Sequence, residues 1–131
     1  MGSLTLQEFQ EQVADLLLRH RSVLDIMSKY QQTNAAVNRT VTKSITECGC
    51  IIVNASKQPY AEQVTMESAK EAMNTHIDGQ LCEHCQDIVK TEIGKNVFYL
   101  SALANILNLN LDEIIAEESK RCSTLGLYKF S

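Results

Sequence analysis

The sequence holds no tryptophan, a single proline and only five glycines in 131 residues. So little punctuation excludes a fold of many short strands joined by turns, and it favours long helices. No apolar run approaches the ~20 residues that span a bilayer. No basic segment followed by an apolar one opens the chain. These absences predict a soluble, cytoplasmic protein with no membrane partner. Positive charge is also scarce. Twelve Lys and Arg stand against sixteen Asp and Glu, for a net charge of −4 and a pI near 5.3. Phosphate binding needs clustered cations, so nucleic acid is not an expected partner. The one tight basic group, Arg19, His20 and Arg21, reads as a solvated helix end.

Hydrophobic residues make up 44% of the chain, enough for one packed domain over residues 1–131. The five cysteines are an odd number. In a cytosolic chain they read as thiols or metal ligands rather than disulfides.

Thr5 and Glu8 form a capping box that starts a short first helix, with Phe9, Val13, Leu16 and Leu17 at helical spacing. Ser22 caps a second. Val23, Met27, Tyr30, Asn34, Val37, Val41, Ser44, Cys48, Ile51 and Ala55 then step by threes and fours, which predicts one long central helix over residues 23–55. Asn34, a polar residue within that stripe, is placed to bond across a bundle and fix register; a substrate contact is the alternative. Residues 58–81, with Pro59 and Gly79, read as a loop-rich connection containing one short helix, "MESAKEAM". From Cys85 a further stripe runs through Val89, Ile93, Val97, Leu100, Ala104 and Leu107. Asn110 then caps a last helix whose apolar face is Leu111, Ile114, Ile115 and Cys122. The short turn between them predicts an antiparallel C-terminal pair. The expected fold is therefore all-α, a four-helix-type bundle. Its leftover apolar faces point to a homo-oligomer, a dimer or a tetramer.

The stretch "TEIGKNVFYLSALANILNLNLDEIIAEESKR", residues 91–121, resembles the C-terminal half of MazG-type nucleotide pyrophosphohydrolases, which belong to the all-α NTP pyrophosphatases. The resemblance implies a helical bundle, a nucleotide substrate and magnesium held by "EExxE" on one helix and "ExxD" on the facing one. Carried onto this sequence, the acid positions fall on Thr46, Glu47 and Cys50, and on Glu92 and Lys95. Glu47 and Glu92 would be a residual acidic metal site, facing one another. Asn34 and Asn96 are candidates to touch substrate. A lysine and a cysteine in acid positions disfavour a hard cation such as magnesium, so the resemblance supports the bundle and argues against the family's usual reaction.

The cysteines offer other chemistry. Cys82 and Cys85, in "CEHC", have the spacing of zinc ligands, at what reads as a helix start. Cys48 and Cys50 lie upstream in "TECGCIIVNASK". On a continuous helix, residues two apart point about 200° apart, so these two cannot share an ion unless the helix breaks at Gly49. "IIVNASK" gives no sign of a break. Cys48 is therefore expected in the core. Cys50, Cys82 and Cys85 form the candidate thiolate set, with His76 or His84 as a fourth ligand. Three functions follow, in this order: a MazG-like bundle without the magnesium-dependent activity, acting as a binding or regulatory module; an active pyrophosphohydrolase with an altered metal site; and a thiolate–zinc protein, structural or sensory.

Overall fold

The computed structural model describes residues 3–17, 22–59 and 65–125. Arg19, His20 and Arg21 lie outside them. The chain is mostly helical, in the order α1 (Leu6–Leu16), α2 (Val23–Lys43), a π-helical turn (Ser44–Cys48), β1 (Ile51–Val53), α3 (Met66–Ala72), β2 (Ile77–Gly79), α4 (Glu83–Ile106) and α5 (Leu111–Leu125). No described helix is long and apolar enough to cross a membrane.

The helix starts follow the sequence. Thr5 and Glu8 close a reciprocal capping box on α1. Ser22 Oγ accepts from the Leu24 amide at 3.3 Å at the start of α2. Asn110 Oδ1 accepts from the Glu113 amide at 3.2 Å at the start of α5. In each case a side-chain oxygen satisfies an amide that has no partner inside the helix.

The long central helix does not form as a single rod. α2 ends at Lys43, and the next five residues widen into a π turn that closes with the Gly49 amide donating to the Ser44 carbonyl at 2.9 Å. Gly49 then adopts a left-handed φ of 78°, which ends the helix. Ile51, Ile52 and Val53 follow. Their β-branched side chains suit extended backbone, and they pair antiparallel with β2 in the register Ile51↔Gly79, Val53↔Ile77. The buried face of α2 is also rotated from the expected stripe: Ile26 and Thr33 are buried, whereas Met27 and Asn34 are exposed. Ser44, a stripe residue just past the end of α2, is buried as expected.

α2 and α4 run antiparallel and form the main contact of the fold. Val13, Ile26 and Ala102 are its most buried cluster, with Phe9, Leu17, Phe98 and Leu103 packed around it. Asn96 Nδ2 donates to Thr33 Oγ1 at 3.1 Å and also to Asn34 Oδ1. These amides fix the register of the pair halfway along its length.

α5 does not lie antiparallel along α4. It packs on α1 instead. Asn108, at φ 57°, turns the chain, and the buried Gln10 of α1 captures the start of α5. Gln10 Nε2 donates to Asn105 Oδ1 at 2.9 Å and to the Leu109 carbonyl at 3.0 Å, while Gln10 Oε1 accepts from the Leu111 amide at 2.7 Å. Asn105 Nδ2 returns a bond to the Gln10 carbonyl at 2.9 Å. From Asp112 to Thr124 the helix is exposed, Ile114, Ile115 and Cys122 included. Among the described residues, nothing covers the apolar face expected to be buried there.

Gln10→Leu keeps the volume but strands three polar partners, the buried Leu111 amide among them. It is expected to lower stability by about 2–4 kcal/mol in urea unfolding, against less than about 0.5 kcal/mol for the exposed Gln7→Ala.

Candidate metal centre

Two short turns bring four sulfurs together. The first is Cys48-Gly49-Cys50, at the broken end of α2. The second is Cys82-Glu83-His84-Cys85, at the start of α4. The four Sγ atoms all lie within 4.8 Å of one another, and Cys48 Sγ is 3.8 Å from Cys82 Sγ. The left-handed Gly49 makes this possible, because it swings Cys50 back to the side that Cys48 already faces. Cys48 is thus not a core residue. It is exposed and belongs to the cluster, Cys50 and Cys82 are half-buried, and Cys85 is buried.

Backbone groups hold the sulfurs of Cys82 and Cys50. Cys82 is the N-cap of α4, and its Sγ accepts from the Cys85 amide at 3.4 Å. That amide draws the Cys82 thiol down to about 7, helped by the Cys85 side chain. Cys85 behaves oppositely. A bond from Ser44 lowers it, but burial and the sulfurs of Cys82, Cys48 and Cys50 outweigh that bond and push the thiol up to about 12. Cys48 is also raised. The Cys85 side chain pulls it down, and contact with the Cys82 sulfur opposes that pull. The Cys50 thiol donates to the Ser44 carbonyl at 3.8 Å. Four sulfurs this close cannot all carry charge unless a cation lies between them.

The β-hairpin fixes the first turn. Gly79 sits at φ 90°, and a Cβ there would lie 2.6 Å from the Cys50 carbonyl oxygen. Only a residue without a side chain lets β2 approach Cys50 this closely.

His84 and His76 do not join the donor group. His84 lines a cavity of about 240 Å³ beside the sulfurs, with Lys43, Glu47, Cys48, Cys85 and Ile88. His76 stands before β2 at a left-handed φ of 63°. Its carbonyl accepts from the Asn54 amide at 2.8 Å, and its buried Nε2 has no partner among the described residues.

The two acids stand apart from each other. Contacts of Ile26 with Ala102, Thr33 with Asn96 and Cys48 with Cys82 set the α2–α4 register. By that register Glu92 lies level with Val37, and Glu47 lies ten residues further along, roughly 15 Å away at helical rise. Glu92 is held by Lys95 Nζ at 3.4 Å. Among the described residues, no other group of three or more metal-type side chains converges as the cysteines do.

The arrangement can hold a metal ion. Residue spacing showed half of it: "CEHC" at a helix start was legible. The other half carried a weaker signal, a glycine between two cysteines followed by three β-branched residues. Together these mark a chain reversal rather than a helix. Gly79 carried no local sign, because its role depends on a contact made across the hairpin.

Compared with known proteins, the chain matches no family model, no curated protein and no solved structure.

Two measurements check this geometry. Gly79→Ala is expected to cost about 2–4 kcal/mol, since strain and clash combine, against about 1 kcal/mol for Gly49→Ala, whose new methyl meets open space. Equal losses would show that the approach to Cys50 is unimportant. In metal-free protein, iodoacetamide is expected to label Cys82 before Cys85. The Cys82 rate should climb through pH 7 and level off above it, as the thiol with the lower pKa ionises.

Proposed function

We propose that this chain is a zinc-stapled helical module, with one ion bound by Cys48, Cys50, Cys82 and Cys85. One observation carries the reading. Four sulfurs around a zinc ion at ~2.3 Å form a tetrahedron with edges of about 3.8 Å, and the Cys48–Cys82 separation is 3.8 Å with every other pair within 4.8 Å. A multi-iron cluster holds its cysteines further apart, because the irons and sulfides lie between them. Thiolates also select zinc over magnesium.

Four protein ligands leave no open position for a substrate, so the role of the ion is structural. It ties the end of α2 to the start of α4 and closes the segment between them. The sulfurs must lose protons to bind, so affinity rises with pH. The resemblance of residues 91–121 to MazG-type enzymes accounts for the helical scaffold in this reading. The scaffold acts as a binding or regulatory module and not as a magnesium-dependent pyrophosphohydrolase.

Plasma mass spectrometry of the purified, untagged protein is expected to find one zinc per chain. Cys85→Ser should lose it and lower the melting temperature by at least about 10 °C, whereas Cys122→Ser should keep it. Competition with a chromophoric chelator should show weaker binding at pH 6 than at pH 8. Metal-free protein that releases pyrophosphate from a nucleoside triphosphate with magnesium would overturn the reading.

A further inference from the structure

The four sulfurs of the cluster are not equally open to solvent. Cys48 is exposed, Cys50 and Cys82 are half-buried, and Cys85 is buried. A dissolved oxidant therefore meets Cys48 first. Its sulfur lies 3.8 Å from that of Cys82, a residue 34 positions away in the chain. The Cys85 amide holds the Cys82 sulfur in place from the other side, at 3.4 Å. The Cys50 thiol is turned to the Ser44 carbonyl. Cys122 is exposed as well, but it lies outside the cluster.

A peroxide converts a lone thiolate to a sulfenic acid, and a disulfide follows only where a second thiol stands beside the first. Cys48 has such a neighbour in Cys82. The two sulfurs must close from 3.8 Å to about 2.05 Å, which rotation of the exposed Cys48 side chain allows. The bond would also fall in a particular place. A Cys48–Cys50 or Cys82–Cys85 bridge would stay within one turn and leave the two helices unjoined. A Cys48–Cys82 bridge crosses from the end of α2 to the start of α4. It closes a long loop, the kind of cross-link that constrains the unfolded chain most.

We propose that Cys48 and Cys82 form a site of oxidative modification, at which a peroxide exchanges the zinc staple for a disulfide between the same two helix ends. The release of the ion rests on the zinc assignment; the choice of pair rests on the sulfur geometry alone. In the first step the Cys48 thiolate attacks one peroxide oxygen, the O–O bond breaks and hydroxide leaves. In the second the Cys82 thiolate attacks the Cys48 sulfenic sulfur, the S–S bond forms, the S–O bond breaks and a second hydroxide leaves. The two sulfurs together lose two electrons, and the two peroxide oxygens gain them. Cys50 and Cys85 alone are too few ligands for a tetrahedral structural site, so the ion is released.

The test is titration of the full, zinc-loaded chain with hydrogen peroxide. A chromophoric chelator reads released zinc, and peptide mass mapping without reductant reads the sulfur pairs. One ion should appear per disulfide formed, with Cys48–Cys82 about tenfold more abundant than any other pair. Reduction with a phosphine, followed by zinc, should restore the loaded form, and Cys122→Ser should behave like the unchanged chain. The oxidised, zinc-free chain should melt at least about 5 °C above the reduced, zinc-free one. A dominant Cys82–Cys85 or Cys48–Cys50 bridge overturns the proposal, and so does zinc that stays bound after these thiols oxidise. A chain that takes up no zinc sinks the zinc reading instead, and the map of that same chain then decides whether Cys48 and Cys82 join.

Discussion

The break at Gly49 is the constraint on which the site depends. With α2 continued past it, Cys48 and Cys50 would face opposite sides, and β1 would have no strand to offer. One left-handed residue reverses the chain and brings both sulfurs to the start of α4. β2 then locks the reversal in place, with the bare backbone of Gly79 laid against Cys50. The hairpin is too short to be stable by itself. Its stability comes from what its ends are attached to.

That dependence matters because the helical part is lightly built. The cluster at its centre has three buried side chains, and two amide networks, one at Asn96 and one at Gln10, set the relation of the helices. Such networks define register well but contribute modestly, about 1 kcal/mol per bond. A structural zinc ion contributes on the order of 10–16 kcal/mol of binding free energy, comparable to the whole stability of an ordinary domain. On the zinc assignment, the ion is therefore a main determinant of whether the α2 and α4 ends stay together. Without a cation, the high Cys85 pKa means that one proton at least remains in the cluster.

Sequence periodicity located what repeats and missed what is made by single residues. The capped starts of α1, α2 and α5 were legible because each cap is a local exchange between a side chain and an amide three residues away or fewer. The short α3 was legible too. The end of α2 was not, because Ile51 and Ala55 happen to continue the helical spacing while their neighbours favour extended backbone. The placement of α5 was hidden for another reason. It is set by Gln10, about a hundred residues away in sequence, whose amide pairs with both sides of the α4–α5 turn.

Register also constrains the acidic residues. The resemblance in α4 centres on Glu92 and the Lys95 position. Across the α2–α4 pair, the stretch level with them is residues 33–38, which contains no carboxylate. Glu47 lies near the thiols, a different level of the bundle. A hard cation bridging Glu47 and Glu92 would have to span roughly 15 Å of helix, far beyond the reach of first-shell oxygens at 2.0–2.6 Å. The two chemistries suggested by the sequence are thus separated in space: carboxylates dispersed along the pair, thiols gathered at its end. Among the described residues, one group of four donors stands close enough together to share a metal ion, and the donors there are sulfur.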